Sequence, residues 1–388
     1  MKRDTRIIHA GSHPERWNGA VNPPVWRAST IVSPSIAAQR DLNGPNRFAN
    51  VTYGRHGTPT SKAFEEAVAE LEGGSHCIAV GSGLAAITAT LTGLLKTGDH
   101  LLMTDGCYGP TRYFCDKSLT RFGIETTYYD PRIGGDIASL IRPNTKVVFV
   151  ESPSSGTFEI QDIPAIAAAA HAAGAVVVAD NTWGLGTFMP FEHGVDVSLQ
   201  AATKYIVGHS DAMLGTITVN NADLYATVRG SVALFGFSAG SEEVWLGLRG
   251  LRTVSVRLRQ QFDSGLKVAR WLESRPEVLK VWHPALPSHP DHALWQRDFT
   301  GGCSLFSFEL PPMARERLEA MVDGYHLFRL GYSWGGFESL AVVTSDEYVR
   351  TATGKSGNPI VRLHVGLEDP DDLIADLEQG FARLKETP

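Results

Sequence analysis

The 388-residue chain lacks the features that would place it at a membrane, on nucleic acid or outside a cell. No apolar run approaches the length of a bilayer span. The Met1-Lys2-Arg3-Asp4 start has no apolar segment behind it, so no secretory signal is expected. Long basic runs are missing and the net charge is −7, which argues against a nucleic-acid surface. Only four cysteines occur, Cys77, Cys107, Cys115 and Cys303, without a CxxC pair or metal spacing. Reduced, mostly buried thiols in a cytoplasmic protein are the expectation. His283, His289 and His292 lie in the stretch WHPALPSHPDH. Its prolines break any helix or strand that would fix ligand geometry, so no metal is expected there. Repeats and low-complexity linkers are also missing. What remains is an ordinary globular composition, 43% hydrophobic and 20% charged, on a chain long enough for two or three domains.

The chain divides into an arm and two domains. Residues 1–60 are irregular, with Pro23-Pro24, Ser33-Pro34 and Gly44-Pro45, and are expected to lie as an extended arm on another subunit. Within the arm, Tyr53-Gly54-Arg55 sets a guanidinium and a phenol on a glycine-flexed loop, donors that suit a phosphate. Residues 61–250 alternate helix and strand. Ser61 to Leu71 reads as a helix capped by Thr60 or Ser61 and stopped by Gly73-Gly74. Strands are expected at 77–80, 100–103, 124–129, 146–151, 176–178, 195–199 and 213–219. Helices are expected from Gly83 to Leu95, over 110–122, up to Leu140 and from Ile163 to Ala173. That alternation predicts an α/β fold, a mostly parallel sheet with helices on both faces. A long helical stretch, Glu242 to Leu272, carries Val244, Leu248, Leu251 and Val254 on one face. It reads as the connector to a smaller α+β domain over 251–388, with strands near 278–282, 304–310 and 361–365 and helices near 313–322 and 370–384.

The stretch from Ala175 to Gly215 carries the chemistry. Val176-Val177-Val178 is a buried-strand signal that ends at Asp180-Asn181-Thr182. A second apolar piece leads to Ala202-Thr203-Lys204-Tyr205, and Gly208-His209-Ser210-Asp211 then forces a turn. An acid and a lysine thus each stand just past a strand, where open α/β sheets bind ligands. A lysine forms a Schiff base with the aldehyde of pyridoxal phosphate, and an acid pairs with its pyridinium nitrogen. A solvated lysine and a strand-end cap are the alternatives. Gly81-Ser82-Gly83-Leu84-Ala85-Ala86 follows a strand and opens a helix, so its amides suit a phosphate. The same loop imitates a dinucleotide fingerprint, with Asp105 at the end of the next strand. A nicotinamide oxidoreductase is therefore the competing reading. Tyr108, at a strand exit, is placed either to stack on a flat ring or to pack at a turn.

Together these motifs resemble the pyridoxal-phosphate enzymes of Cys/Met metabolism, of fold type I. The resemblance covers nearly the whole chain. It rests on Gln200-Ala201-Ala202-Thr203-Lys204-Tyr205-Ile206-Val207-Gly208-His209-Ser210-Asp211, a long and specific signature, with Tyr53-Gly54-Arg55, Gly81-Ser82-Gly83, Asp180-Asn181-Thr182 and Arg362-Leu363-His364-Val365-Gly366-Leu367-Glu368 in the family's order. Within the family the likeness is greatest to the β-lyases that cleave cystathionine. Trp334 stands where γ-synthases and γ-lyases usually have leucine, and Ser152-Pro153-Ser154-Ser155-Gly156-Thr157 lacks their usual Asn-Pro. Tyr108 is followed by Gly109-Pro110 rather than the cysteine of methionine γ-lyases. Ala201 departs from the family, since many members carry a phosphate-binding serine there.

The resemblance implies the roles. Lys204 holds the cofactor and moves the proton at Cα, Asp180 pairs with the ring nitrogen, and Tyr108 stacks on the ring. The amides of Gly83 and Leu84 and the hydroxyl of Thr203 bind the phosphate, with Tyr53 and Arg55 reaching in from a neighbouring subunit. Arg362 grips the substrate carboxylate, Ser333 orients Lys204 or that carboxylate, and Trp334 lines the pocket. The implied activity is β-elimination from cystathionine by a homo-oligomer, a tetramer built as a dimer of dimers. Cystine or S-conjugate β-elimination, γ-replacement or γ-elimination, and a non-catalytic cofactor binder are the alternatives.

Overall fold

Seven short strands build the larger sheet of the computed structural model, which describes every residue except 45, 46, 49, 345–348, 355, 387 and 388. They are β1 His76–Val80, β2 His100–Thr104, β3 Glu125–Tyr129, β4 Thr145–Glu151, β5 Val176–Asp180, β6 Val197–Gln200 and β7 Gly215–Val219. The spatial order is β1-β7-β6-β5-β4-β2-β3. Side chains alternate between two apolar cores, as the two-residue period of a strand dictates. Leu102, Val148, Val150 and Val177 face one, and Leu101, Met103, Val147 and Val178 the other. Burial on both faces explains why these strands read as continuous apolar runs.

All neighbouring pairs are parallel except those of β7, which runs antiparallel to both β1 and β6. Two successive reversals leave β1 pointing the same way as β6. The N-terminus of the helix Gly83–Leu94, which follows β1, therefore opens on the same sheet edge as Asp180 at the end of β5.

A second sheet holds β8 Lys280–Trp282, β9 Leu305–Glu309, β10 Arg329–Leu330, β11 Leu340–Val343 and β12 Ile360–His364, in the order β10-β11-β12-β9-β8. Helices Val254–Glu273, Arg315–Asp323 and Pro370–Glu386 close its core through Val268, Leu272, Met321, Leu377 and Phe381.

Several expectations change. Residues 1–60 are not wholly irregular. Arg3–His9 and Ile36–Leu42 are helices, and Ile7 is buried in the main core; Pro45 lies outside the described residues. The helix expected from Ser61 begins at Pro59, because Thr58 and Ser61 form a capping box, and Gly73 ends it in the left-handed conformation. The stretch Glu242–Leu272 is two helices, Ser241–Leu251 and Val254–Glu273. Arg252 sits at the break and donates to the carbonyls of Ile7, Ile8 and Ala10. The helix expected over 110–122 is α-helical only from Gly109 to Phe114, continuing as a wider turn and a tight one. The segment before Leu140 is a 3-10 helix. Helices Ala222–Phe235 and His292–Asp298 and strands β10 and β11 were not anticipated. Among the described residues no helix is long and apolar enough to cross a membrane, and no group of three or more His, Cys, Asp or Glu side chains is arranged to hold a metal.

Candidate active site

Lys204 stands four residues past β6, in a turn that folds back on itself through Lys204 N–H to Ala201 and Gly208 N–H to Lys204. Its amine donates to the Ser333 hydroxyl across 2.6 Å. Burial, then the positive charge of Arg362, lowers the amine to about 8, against the pull of Asp180. A buried amine with a depressed pKa is a nucleophile and a base near neutral pH. The Trp334 ring centroid lies 5.5 Å from the amine, and the same ring meets Tyr205 edge-on at 5.4 Å. Trp334 thus lies beside both the Lys204 amine and Tyr205.

Asp180 ends β5, and its Oδ1 accepts from the Thr182 amide at 3.1 Å and the Thr182 hydroxyl at 2.6 Å. Oδ2 takes no hydrogen bond from the described residues. Burial raises the Asp180 carboxyl above its usual range, and the Thr182 hydrogen bonds and Lys204 oppose that rise. A buried carboxylate with one oxygen unclaimed fits a protonated ring nitrogen. Tyr108 follows β2, is about half exposed, and lies within the electrostatic reach of Asp180, Glu151 and Arg362.

The helix Gly83–Leu94 presents its first amides to this edge, while Ser82 caps it by accepting from Ala85 N–H. Gly83 has no room for a side chain: a Cβ there would lie 2.6 Å from that of Ala201. The helix end and the lysine turn therefore pack closely at the helix N-terminus, where backbone amides suit an anion. The Thr203 hydroxyl, expected at a phosphate, instead donates to the Leu214 carbonyl at 3.1 Å and accepts from its amide at 2.9 Å. It reaches a phosphate only by giving up the first of these bonds.

Arg362 projects from β12, half-buried, with Nη2 3.4 Å from the Ser333 carbonyl. The second sheet thus delivers Arg362, Ser333 and Trp334 to the edge where the first delivers Lys204, Asp180, Tyr108 and Gly83. Tyr53 and Arg55 are not brought to this point within one chain. They line a separate cleft of about 290 Å³ with Arg229 and residues 237–241, and Arg55 donates to the Ala233 carbonyl.

Sequence reasoning missed three residues. Glu151 ends β4 and pairs in register with Asp180. It accepts from Tyr108 N–H and from the Ser155 hydroxyl, both at 2.7 Å. Burial and then the Asp180 charge raise its carboxyl. Its signal was the same as that of Asp180, an acid closing an apolar strand. Glu72 is buried under the site, where it accepts from Asn181, Ser198 and Gln200, and burial raises it to about 7. His364 accepts from Gly335 N–H at 3.1 Å, and burial pushes it down to about 4. A neutral ring at that position supports the backbone beside Ser333.

The model of the family described as Cys/Met metabolism PLP-dependent enzymes matches residues 4–382. The chain is 46% identical to the putative cystathionine beta-lyase of Rhizobium johnstonii, covering 98% of this chain and 96% of that protein. It is 44% identical to the cystathionine beta-lyase MetC of Escherichia coli over 99% of both. The solved structure of cystathionine gamma synthase from Xanthomonas oryzae pv. oryzae, in complex with aminoacrylate and cysteine, superposes with a TM-score of 0.92 at 30% identity over 100% of both chains.

Proposed function

The chain belongs to the Cys/Met metabolism PLP-dependent enzymes, and we propose that it is a carbon–sulfur β-lyase converting L-cystathionine to L-homocysteine, pyruvate and ammonia. Its fold is that of the type I enzymes and its cofactor is pyridoxal phosphate. The carrying observation is the part-buried Lys204–Ser333 contact, with the charges of Asp180 and Arg362 acting on the amine. The names of the full-length relatives support cystathionine as the substrate.

Bound pyridoxal phosphate supplies an aldehyde for Schiff-base formation and a ring that takes up charge from Cα. The chain does the rest. Gly83 and Leu84 would hold the phosphate through their amides, Asp180 would keep a proton on the ring nitrogen, and Tyr108 would cover the ring. Arg362 grips the substrate carboxylate as a two-point donor. That grip fixes Cα next to the Lys204 amine, which takes the Cα proton. Ser333 sets the direction of the amine. The Cβ–S bond then breaks with its electron pair on sulfur, and Lys204 returns a proton to the departing thiolate. Trp334 shields this transfer from water. The remaining three-carbon enamine leaves the site and takes up one water, giving pyruvate and ammonia.

Tyr53 and Arg55 complete the phosphate site of a neighbouring subunit, and the assembly is a tetramer built as a dimer of dimers. The cleft that Tyr53 and Arg55 line does not include Lys204, Asp180 or Gly83, which supports this reading. The four cysteines are free and buried, which suits the cytoplasm.

Product analysis from cystathionine with cofactor-loaded protein tests the proposal. Pyruvate with homocysteine is expected, and Lys204→Ala abolishes both. Formation of 2-oxobutyrate with cysteine would mean γ-elimination and would overturn it.

A further inference from the structure

Asp105 stands just past β2 and is only 1% exposed. It is ion-paired with Arg112, a buried guanidinium lying 3.6 Å over the centre of the Tyr128 ring. The carboxylate also accepts the amides of Thr351 at 3.0 Å, Ala352 at 3.0 Å and Thr353 at 2.9 Å. The Thr351 and Thr353 hydroxyls add two more bonds, at 3.2 and 2.9 Å. Burial opposes ionisation, but the bonds from Thr351, Thr353 and Ala352 outweigh it and hold the carboxyl below its usual range. Successive amides converging on one charge make an anion nest. Here the anion belongs to the first sheet and the nest to the connection between β11 and β12 of the second.

The residue before the nest makes a second tie. Arg350, with its side chain 4% exposed, donates to the Ser155 carbonyl at 3.3 Å and the Thr157 hydroxyl at 2.6 Å, with Glu159 at 3.6 Å. Ser155 N–H donates to the Gly106 carbonyl at 2.8 Å, and its hydroxyl donates to Glu151. Glu151 in turn holds Tyr108 N–H. At Gly106 a Cβ would lie 2.8 Å from Arg350 and 2.2 Å from the Ser154 hydroxyl, so the strands of this tie meet without slack. Tyr108 is therefore held from both sides, along the chain from Asp105 and through Glu151 and Ser155 from Arg350.

We propose that Asp105 and Arg350 form a two-point clasp through which the second sheet fixes Tyr108 against the cofactor ring, making both of them positioning residues. The inference rests on the reading of Tyr108 as the stacking residue.

The test compares wild type, Asp105→Asn, Arg350→Met and Thr353→Val as cofactor-loaded proteins. Four quantities are read: visible circular dichroism per bound cofactor, cofactor dissociation constant, and kcat and KM for cystathionine. Asp105→Asn and Arg350→Met are expected to change the dichroism, weaken cofactor binding about tenfold and lower kcat about tenfold. KM stays within about threefold, because the carboxylate grip of Arg362 is built on β12. Thr353→Val removes one donor and gives a smaller change of the same kind. A lower melting temperature with unchanged dichroism, cofactor affinity and kcat would reduce the clasp to a structural tie and overturn the proposal. If the first two variants do not fold, Thr353→Val decides by the same readouts. A wild type without any cofactor signal would overturn the reading of the site, and the clasp's role with it.

Discussion

Lys204 and Ser333 come from different sheets and meet at 2.6 Å. Ser333 makes that contact from a φ of +83°, a conformation a side-chain-bearing residue rarely adopts. Strain of this kind persists only where surrounding contacts over-determine it. Here those contacts are the amine itself, the Arg362 donor to the Ser333 carbonyl, and the neighbouring Gly335 N–H on His364.

Ser333→Ala should therefore leave the backbone and the Arg362 contact in place while removing the hydroxyl. A hydrogen bond to an ionisable group contributes about 1.5–3 kcal/mol, so kcat is expected to fall roughly tenfold to a hundredfold. Steady-state kinetics beside cofactor absorbance per protein provide the check. An unchanged kcat would remove Ser333 from the proton-transfer geometry.

Arg362→Lys keeps the charge and loses the planar two-point donor. The KM for cystathionine should rise by about tenfold to a hundredfold in this variant, and further in Arg362→Ala. The two variants also separate charge from geometry. Arg362 depresses the Lys204 amine by like-charge repulsion, so that amine should titrate higher in Arg362→Ala but stay near its wild-type value in Arg362→Lys. The pH dependence of cofactor capture by the apo-proteins reads this difference.

The sign of the Lys204 shift gives a further expectation. Its pKa lies at about 8, below the usual 10.5. Below 8 the amine is mostly protonated and cannot attack an aldehyde. The rate of Schiff-base formation by apo-protein should climb with pH and level off above about 8. The unfolded chain, with its amine at the usual value, binds more protons than the folded one between about 8 and 10.5. This group therefore adds stability to the apo-protein as pH rises through that window. A capture rate still climbing steeply at pH 10 would show that the amine is not depressed.

Asp180, Lys204 and Arg362 were legible because each follows or lies in a short apolar strand within a specific local motif. Glu151 closes β4 in the same way, but its meaning depends on the β4–β5 register, which local sequence does not contain. The contacts of Asp105 join residues some 246 positions apart, so from local sequence it is only an acid at a strand end after a loop that imitates a dinucleotide fingerprint. The break at Arg252 has no proline and follows from carbonyls of the N-terminal helix. Helix Ala222–Phe235 carries clear local signals of its own. Asn221 caps it, Val228 and Val232 are spaced for one face, and Gly236 ends it in the left-handed conformation. Strands β10 and β11 are short and hold their form through pairing that leads to β12, so they carry little signal of their own.

Gly335 provides the most local test of how the two sheets share the site. Its φ is +85°, and a Cβ there would lie 2.8 Å from the Lys204 carbonyl carbon and 2.9 Å from the Lys204 Cα. Both neighbours are backbone, so neither can swing aside as a side-chain tip would. Gly335→Ala must separate the loop from the lysine turn and also hold a left-handed residue, together costing roughly 1–3 kcal/mol of stability. That is a tolerable fraction of a folded domain's margin, and the variant should fold. The separation instead falls on the 2.6 Å contact between Lys204 and Ser333. Activity should drop at least about a hundredfold, since small misplacements of reacting groups cost that much, while the melting temperature falls only a few degrees. Calorimetry beside kinetics on the same preparation would show this. Loss of activity in proportion to loss of folded protein would mean that Gly335 serves packing alone.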